Sequence, residues 1–191
     1  MSRTTIAHLF HSLDGVVEDP HLWQFDAFGE EDGLAMDTHI APVTDAVIGR
    51  GLWKEWSEYW PAAEHAEDTD GFAGWVNPVR KHVISSTLSE EYPHGLPWNS
   101  TLISGDPIDY VRRLRETGSG DIAVLGGIST VRSLFLAGVI DQLTLTTHPV
   151  IAGSGRHLFD DTVPTTRLRL LNASSTSTGN AVLTYGLRPA D

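Results

Sequence analysis

The sequence predicts an α/β fold: a mostly parallel sheet of roughly eight strands, helices on both faces, and an antiparallel C-terminal edge. Three observations predict it. Eight short β-rich runs recur along the chain, most of them separated by helical segments. Several runs are continuously apolar rather than alternating, as strands covered on both faces are. The last two follow one another with no helical stretch between them, the pattern of a closing hairpin. With no internal repeat and no low-complexity linker, residues 1–191 read as a single domain.

Each element has its own justification. Thr4 to Phe10 is apolar and β-branched and ends near the turn signal Asp14-Gly15. Ala46-Val47-Ile48 is closed by Gly49, and a helix follows through Trp53, Trp56 and Trp60, whose spacing suits core packing. The acidic, turn-rich stretch at 61–78 reads as a surface loop. Lys81 to Ser85 and Ser100 to Ile103 are further strands. Asp106 is a good N-cap, Pro107 fits a first turn, Val111 and Leu114 share a face, and Gly118 stops the helix. Asp121 to Leu125 ends at Gly126-Gly127, and a helix from Ser129 to Ala137 buries Val131, Leu134 and Phe135. Gln142 to His148 alternates, with Leu143 and Leu145 on one face. Arg167 to Leu171 and Ala181 to Leu187 close the chain.

Composition removes several function classes. Thirteen Lys and Arg against 25 Asp and Glu give a formal charge of −12, which argues against nucleic acid and anionic lipid as partners. No apolar stretch approaches a membrane span, and the N-terminus lacks a secretory segment. With no cysteine there is no disulfide, thiolate nucleophile or zinc finger. The expectation is a cytoplasmic protein acting on a small molecule.

The strongest chemical signal runs from Ile122 to Arg132, where a strand meets Gly126-Gly127 and opens a helix. The first-turn N–H groups there lack intrahelical partners, the helix dipole adds positive potential, and glycine admits an anion close to the backbone. A pyrophosphate fits, with Ser129 and Thr130 as extra donors; a tight turn without a ligand would use the same glycines. Two other strand ends are similar: Gly49-Arg50-Gly51 with Lys54 one turn on, and Ser85-Ser86-Thr87. In a parallel sheet all three emerge at the carboxyl edge, where ligands bind. Arg50 and Lys54 taken singly read as solvated surface groups. His8 and His11, three apart on one strand, face opposite sides and cannot share a metal.

In order and spacing, Ser12-Leu13-Asp14-Gly15, Ile48-Gly49-Arg50, Lys81 to Leu88, Trp98 to Thr101, Val124 to Ser129 and Asp141 to Phe159 resemble the dihydrofolate reductase superfamily. The branch is similar to the C-terminal reductase domain of the riboflavin-biosynthesis deaminase–reductase. The resemblance implies an NADPH-dependent reductase that passes a hydride to a C=N or C=O group of a small heterocyclic or ribosylamino-pyrimidine-like substrate. It implies that Gly49, Arg50 and Gly51 form the adenosine-side loop, with Arg50 on the 2′-phosphate. It implies that Ser85, Ser86 and Thr87 line the adenine side. Gly126, Gly127, Ile128, Ser129 and Thr130 become the pyrophosphate loop, with the Gly126–Gly127 bond cis. Leu13 and Asp14 match the turn beside the nicotinamide pocket. Asp32 and Asp37 fall near the helix carboxylate of dihydrofolate reductases, so Asp14 and Asp37 are the candidate catalytic groups and no metal is implied. Segment 20–40 departs from the Pro-Trp-rich pattern of those enzymes, and no His/Cys zinc motif marks a deaminase half, so a stand-alone reductase is expected. The alternatives are a non-catalytic dinucleotide-binding protein and a dihydrofolate-reductase-type activity on a pterin. The strand around Leu143 and Leu145 and the closing hairpin could support a homodimer.

Overall fold

The strands are β1 (Thr5–Ser12), β2 (Val43–Gly49), β3 (Arg80–Ile84), β4 (Ser100–Leu102), β5 (Asp121–Leu125), β6 (Gln142–His148), β7 (Leu168–Ser175) and β8 (Ala181–Leu187). The helices are α1 (Glu30–Ile40), α2 (Arg50–Tyr59), α3 (Gly71–Val76), α4 (Leu88–Glu91), α5 (Pro107–Arg115) and α6 (Ile128–Leu136). A computed structural model describes residues 2–24, 27–62 and 71–188. The strands form one eight-stranded sheet in the order β4-β3-β2-β5-β1-β6-β8-β7. The pairs from β4 through β6 are parallel; β6–β8 and β8–β7 are antiparallel. The expected fold class is therefore observed.

The central strands are buried on both faces. Ala7, Val47, Val124 and Leu143 pack with Val111 of α5 and Val131, Leu134 and Phe135 of α6. On the other face Ile6, Ala46 and Ala123 meet Trp75, while Ile48 and Val83 pack with Trp53 of α2. Most strands covered this way read as continuous apolar runs, whereas β6 alternates and buries Thr144 and Thr146 as well as Leu143. At the start of α5, the Asp106 carboxylate accepts the Asp109 N–H at 3.0 Å, the cap expected from the sequence. Among the described residues no helix is long and apolar enough to cross a membrane.

Two expectations are corrected. The 61–78 stretch is not all loop: α3 lies in it and buries Ala73 and Val76, because Phe72-Ala73-Gly74-Trp75-Val76 is an apolar run that the acidic residues before it obscured; residues 63–70 lie outside the described ones. Among the described residues no peptide bond is cis, so Gly126–Gly127 is trans; positive φ at both glycines, +37° and +74°, turns the chain instead. β6 is flanked by β1 and β8, with Leu143 fully buried, and the hairpin strand β7 is exposed along its whole length.

Candidate functional site

The three donor-rich strand ends are neighbours. Gly49 lies opposite Ile84 of β3 and Ile48 opposite Leu125 of β5, so the segments after β3, β2 and β5 leave the sheet side by side. At a strand spacing of about 4.8 Å they span roughly 10 Å of carboxyl edge. The helices α2 and α6 open there, and neither has a side-chain cap on its first N–H groups. Those groups are left for water or an anion.

Two of the glycines also interlock the helices. A Cβ on Gly49 would stand 2.7 Å from the Thr130 hydroxyl of α6, and one on Gly126 would stand 2.5 Å from Leu52 of α2. Each turn is thus packed by the helix that follows the other turn. Gly126→Ala combines overpacking, about 1–3 kcal/mol, with a left-handed backbone that costs roughly 1–2 kcal/mol for a side chain. The expected result is a lower urea midpoint with the slope unchanged; an unaltered midpoint would contradict the packing.

The remaining predicted cofactor residues divide by role. Arg50 is half exposed and its guanidinium reaches Glu91 at 3.4 Å; the Lys54 ammonium is bonded to the same carboxylate. Gly51, Ser86, Thr87, Gly127 and Ser129 are exposed at the edge, and Ile128 is half-buried. Ser85 accepts the N–H groups of Thr87 and Leu88, both at 3.1 Å, and so starts α4. Thr130 is buried. Sequence reasoning missed Glu91. The local signal was Thr87-Leu88-Ser89-Glu90, whose spacing is that of a capping box and marks a short helix, although in the structure Ser85 rather than Thr87 takes the first N–H groups.

Asp14 is placed at the turn after β1 and is committed there. Its carboxylate accepts the Ser12 hydroxyl at 2.6 Å and the N–H groups of Ala152 and Gly153 at 3.0 and 2.9 Å. These bonds, that from Ser12 foremost, lower its carboxyl to about 2. Glu18 binds Arg156 at 2.6 Å and Val16 bridges to His157, so the turn and the 150–157 segment are zipped together. Arg132 of α6 fastens the far side through the carbonyls of His157 and Leu158 and through Asp160. A cleft of about 360 Å³, lined by Ile128, Ser129, Arg132, Arg156 and His157 among others, lies between that segment and the start of α6.

On the α1 face the two candidate carboxylates part company. Asp37 is exposed. Asp32 is buried: it accepts Gly29 N–H at 3.0 Å, the Thr178 hydroxyl at 2.8 Å and the Asn180 amide at 2.8 Å. Burial alone would raise its carboxyl; the bonds from Asn180, Gly29 and Thr178 outweigh it and hold it down. Beside it runs an unbroken set of aromatic rings: His39 meets His8, His8 meets Phe10, and Phe10 meets both Phe28 and His148, with centroids 5.2–5.8 Å apart. Trp23 meets His148 from the other side. In the sequence His148 reads only as the last residue of an alternating strand; in the structure it is buried, bonded to Gln24, and lies at the centre of this set.

These imidazoles make stability acid-sensitive. Burial, with His39 and His148 nearby, pushes His8 down to about 3, so it stays neutral in the fold. The unfolded chain binds that proton near the ordinary value of 6.5. Stability is therefore full above that value and declines as pH falls from it toward about 3, by up to roughly 1.4 kcal/mol per pH unit for such a group. Urea unfolding at about pH 7 and about pH 5 should show the loss, and His8→Gln should reduce it.

Comparison with known proteins places this geometry. The family model described as the RibD C-terminal domain matches residues 3–183. The Bacillus subtilis (strain 168) protein "Uncharacterized protein YyaP" is 26% identical over 189 residues, covering 96% of this chain and 94% of its own. A putative riboflavin biosynthesis protein from Shewanella sp. PV-4 superposes with a TM-score of 0.69 at 19% identity, covering 99% of this chain and 100% of that one. Dihydrofolate reductase from Enterococcus faecalis, solved with NADP(H), superposes with a TM-score of 0.60 at 12% identity, covering 99% and 100%.

Proposed function

This chain belongs to the RibD C-terminal domain family, and on that premise we propose that it is an NADPH-dependent reductase acting on a C=N or C=O group of a small heterocycle, ribosylamino-pyrimidine-like compounds included. The observation that carries this reading is the adjacency of the β3, β2 and β5 ends around two helices that open without side-chain caps. The residues present fit the cofactor. Arg50 offers a planar guanidinium to the 2′-phosphate, and the first turns of α2 and α6 offer N–H groups to the pyrophosphate. When bound, the dinucleotide supplies the hydride. The chain's own work is orientation: Ser85 and Thr130 fix the turns, and Asp14 holds Ala152 and Gly153 against the end of β1. Asp14, which accepts three bonds at the turn after β1, and the exposed Asp37 are the candidate acids in this reading, with an ordered water as the other source of the proton.

A dihydrofolate-reductase-type activity on a pterin is the second reading. The inward carboxylate of Asp32 on α1 favours it, although both of its oxygens already accept bonds. The first test is a titration with NADPH and, separately, NADH, followed through the fluorescence of the six tryptophans. NADPH is expected to bind the more tightly. Equal affinities would remove the 2′-phosphate role of Arg50, and binding without any oxidation of NADPH by carbonyl or imine compounds would leave a dinucleotide-binding protein instead.

A further inference from the structure

The cleft between α6 and the 150–157 segment is locally positive in an acidic chain. Two guanidiniums, Arg132 and Arg156, and one carboxylate, Asp160, line it, in a protein of net charge −12. Its volume of about 360 Å³ is near the lower limit of small-molecule sites, roughly 300–1,000 Å³. It therefore admits part of a ligand. Ile128 and Ser129 also line it, and these two residues open the helix whose first N–H groups are offered to the pyrophosphate.

The two arginines are held differently. Arg132 is committed: it donates to the carbonyls of Leu158 at 2.5 Å and His157 at 2.9 Å and pairs with Asp160 at 2.6 Å. The Arg156 side chain is 72% exposed and, among the described residues, spends one of its five N–H donors, on Glu18 at 2.6 Å. Its backbone, by contrast, is pinned. The Arg156 carbonyl accepts the Val17 N–H at 3.0 Å, its own N–H donates to Glu18 at 3.1 Å, and Val16 bridges to His157. Gly155 permits that close approach: its φ is +126°, and a Cβ there would stand 2.5 Å from Val16. Glu18 thus holds Arg156 twice, by one carboxylate oxygen on the backbone and the other on the guanidinium. The guanidinium can leave without unzipping the turn.

We propose that Arg156 clamps the diphosphate of the cofactor: its guanidinium swings from Glu18 into the cleft, onto the phosphates at the start of α6. An exposed ion pair such as that with Glu18 is a weak tether. The planar fork of arginine matches two phosphate oxygens at once, and charge-assisted bonds of that kind are the stronger ones. The acidic chain repels a dinucleotide at long range, so a cation delivered locally counts for more. Arg50 addresses the 2′-phosphate, which NADPH alone carries. Arg156 acts on a group that NADPH and NADH share.

This inference rests on the reductase reading for the cofactor, and its test separates the two. NADPH and NADH are titrated separately into the parent chain, Arg156→Gln, Arg156→Lys and Glu18→Gln, with tryptophan fluorescence as the readout. Arg156→Gln should weaken both dinucleotides by the same factor, about tenfold. Arg156→Lys, which keeps the charge but not the fork, should weaken them less. Glu18→Gln should tighten both severalfold, because the amide still accepts the Arg156 N–H and no longer holds the guanidinium by charge. A pair that only fastens the turn predicts weaker binding by Glu18→Gln together with a lower urea midpoint, and that result overturns the inference. Unchanged affinities in a folded Arg156→Gln protein overturn it as well. So does ribose 5-phosphate binding beside saturating NADPH that Arg156→Gln abolishes without affecting either dinucleotide, since the clamp then serves a phosphate of the acceptor. Failure of both dinucleotides to bind the parent chain overturns the reductase reading instead. Calorimetric titration with inorganic pyrophosphate then decides the clamp, which stands if the parent chain binds it and Arg156→Gln binds it about tenfold more weakly, and falls otherwise.

Discussion

Arg50→Ala should weaken NADPH binding about 10–100-fold and leave NADH binding unchanged. Hydrogen bonds to a charged group are worth about 1.5–3 kcal/mol, which is that range of affinity. The guanidinium stands at the first position of α2, where the dipole and the free N–H groups already favour an anion. It is half exposed and only loosely held by Glu91 at 3.4 Å, so turning to a phosphate sacrifices little. Glu91 is then a competitor. Its carboxylate neutralises part of the charge of Arg50 and Lys54, and those two cations in turn, Lys54 first, lower its carboxyl from the ordinary value. Glu91→Gln should accordingly tighten NADPH binding severalfold, in the direction opposite to Arg50→Ala. Fluorescence titrations of both variants with both dinucleotides distinguish this from a general loss of structure, which would weaken NADH as well. An Arg50→Ala protein that loses both equally would falsify the assignment.

Much of this edge was legible in the sequence because its signals are local. A strand ending in glycines ahead of an apolar-periodic helix needs no tertiary knowledge, and neither does Asp106 capping Asp109 three residues on. The roles of Asp14 and Asp32 were not legible for the opposite reason. Asp14 binds backbone N–H groups at 152 and 153, and Asp32 binds side chains at 178 and 180, separations that no window reveals. The same holds for the glycines. Gly49 and Gly126 read as openings for a phosphate, yet each also accommodates a side chain from the opposite helix, Thr130 and Leu52. That does not empty the site, because Gly51, Gly127 and Ser129 remain exposed at its rim. α1 was readable only as a place for a carboxylate. It buries little beyond Asp32 and Ile40, so its apolar stripe is too thin to announce a helix.

The largest loss of stability is expected at the other end of the sheet, from Asp45→Ala. Asp45 is 1% exposed and receives Arg3 at 2.5 Å, Arg80 at 2.9 Å and His82 at 2.9 Å. Burial by itself would raise its carboxyl; the bonds from His82, Arg3 and Thr44 together overcome that and keep it ionised below the ordinary value of 3.8. The other ring nitrogen of His82 pairs with the Tyr110 hydroxyl at 2.8 Å, so the network ties β2 and β3 to α5. Removing the carboxylate strands the buried Arg3, which keeps only neutral oxygens such as the Gly120 carbonyl at 2.7 Å. An uncompensated charge of this kind costs about 3–5 kcal/mol, or a fall in Tm of roughly 6–20 °C for a chain this size. Asp45→Asn keeps the shape and some of the bonds and should lose less. The sign with pH follows from the lowered carboxyl: its contribution is complete above 3.8 and disappears as pH falls through the folded value. Because Asp45 lies toward the amino ends of the strands, its loss should leave NADPH affinity intact below the melting transition. A variant that kept its Tm but lost dinucleotide binding would mean that the two ends of the sheet are coupled in a way their separate contacts do not predict.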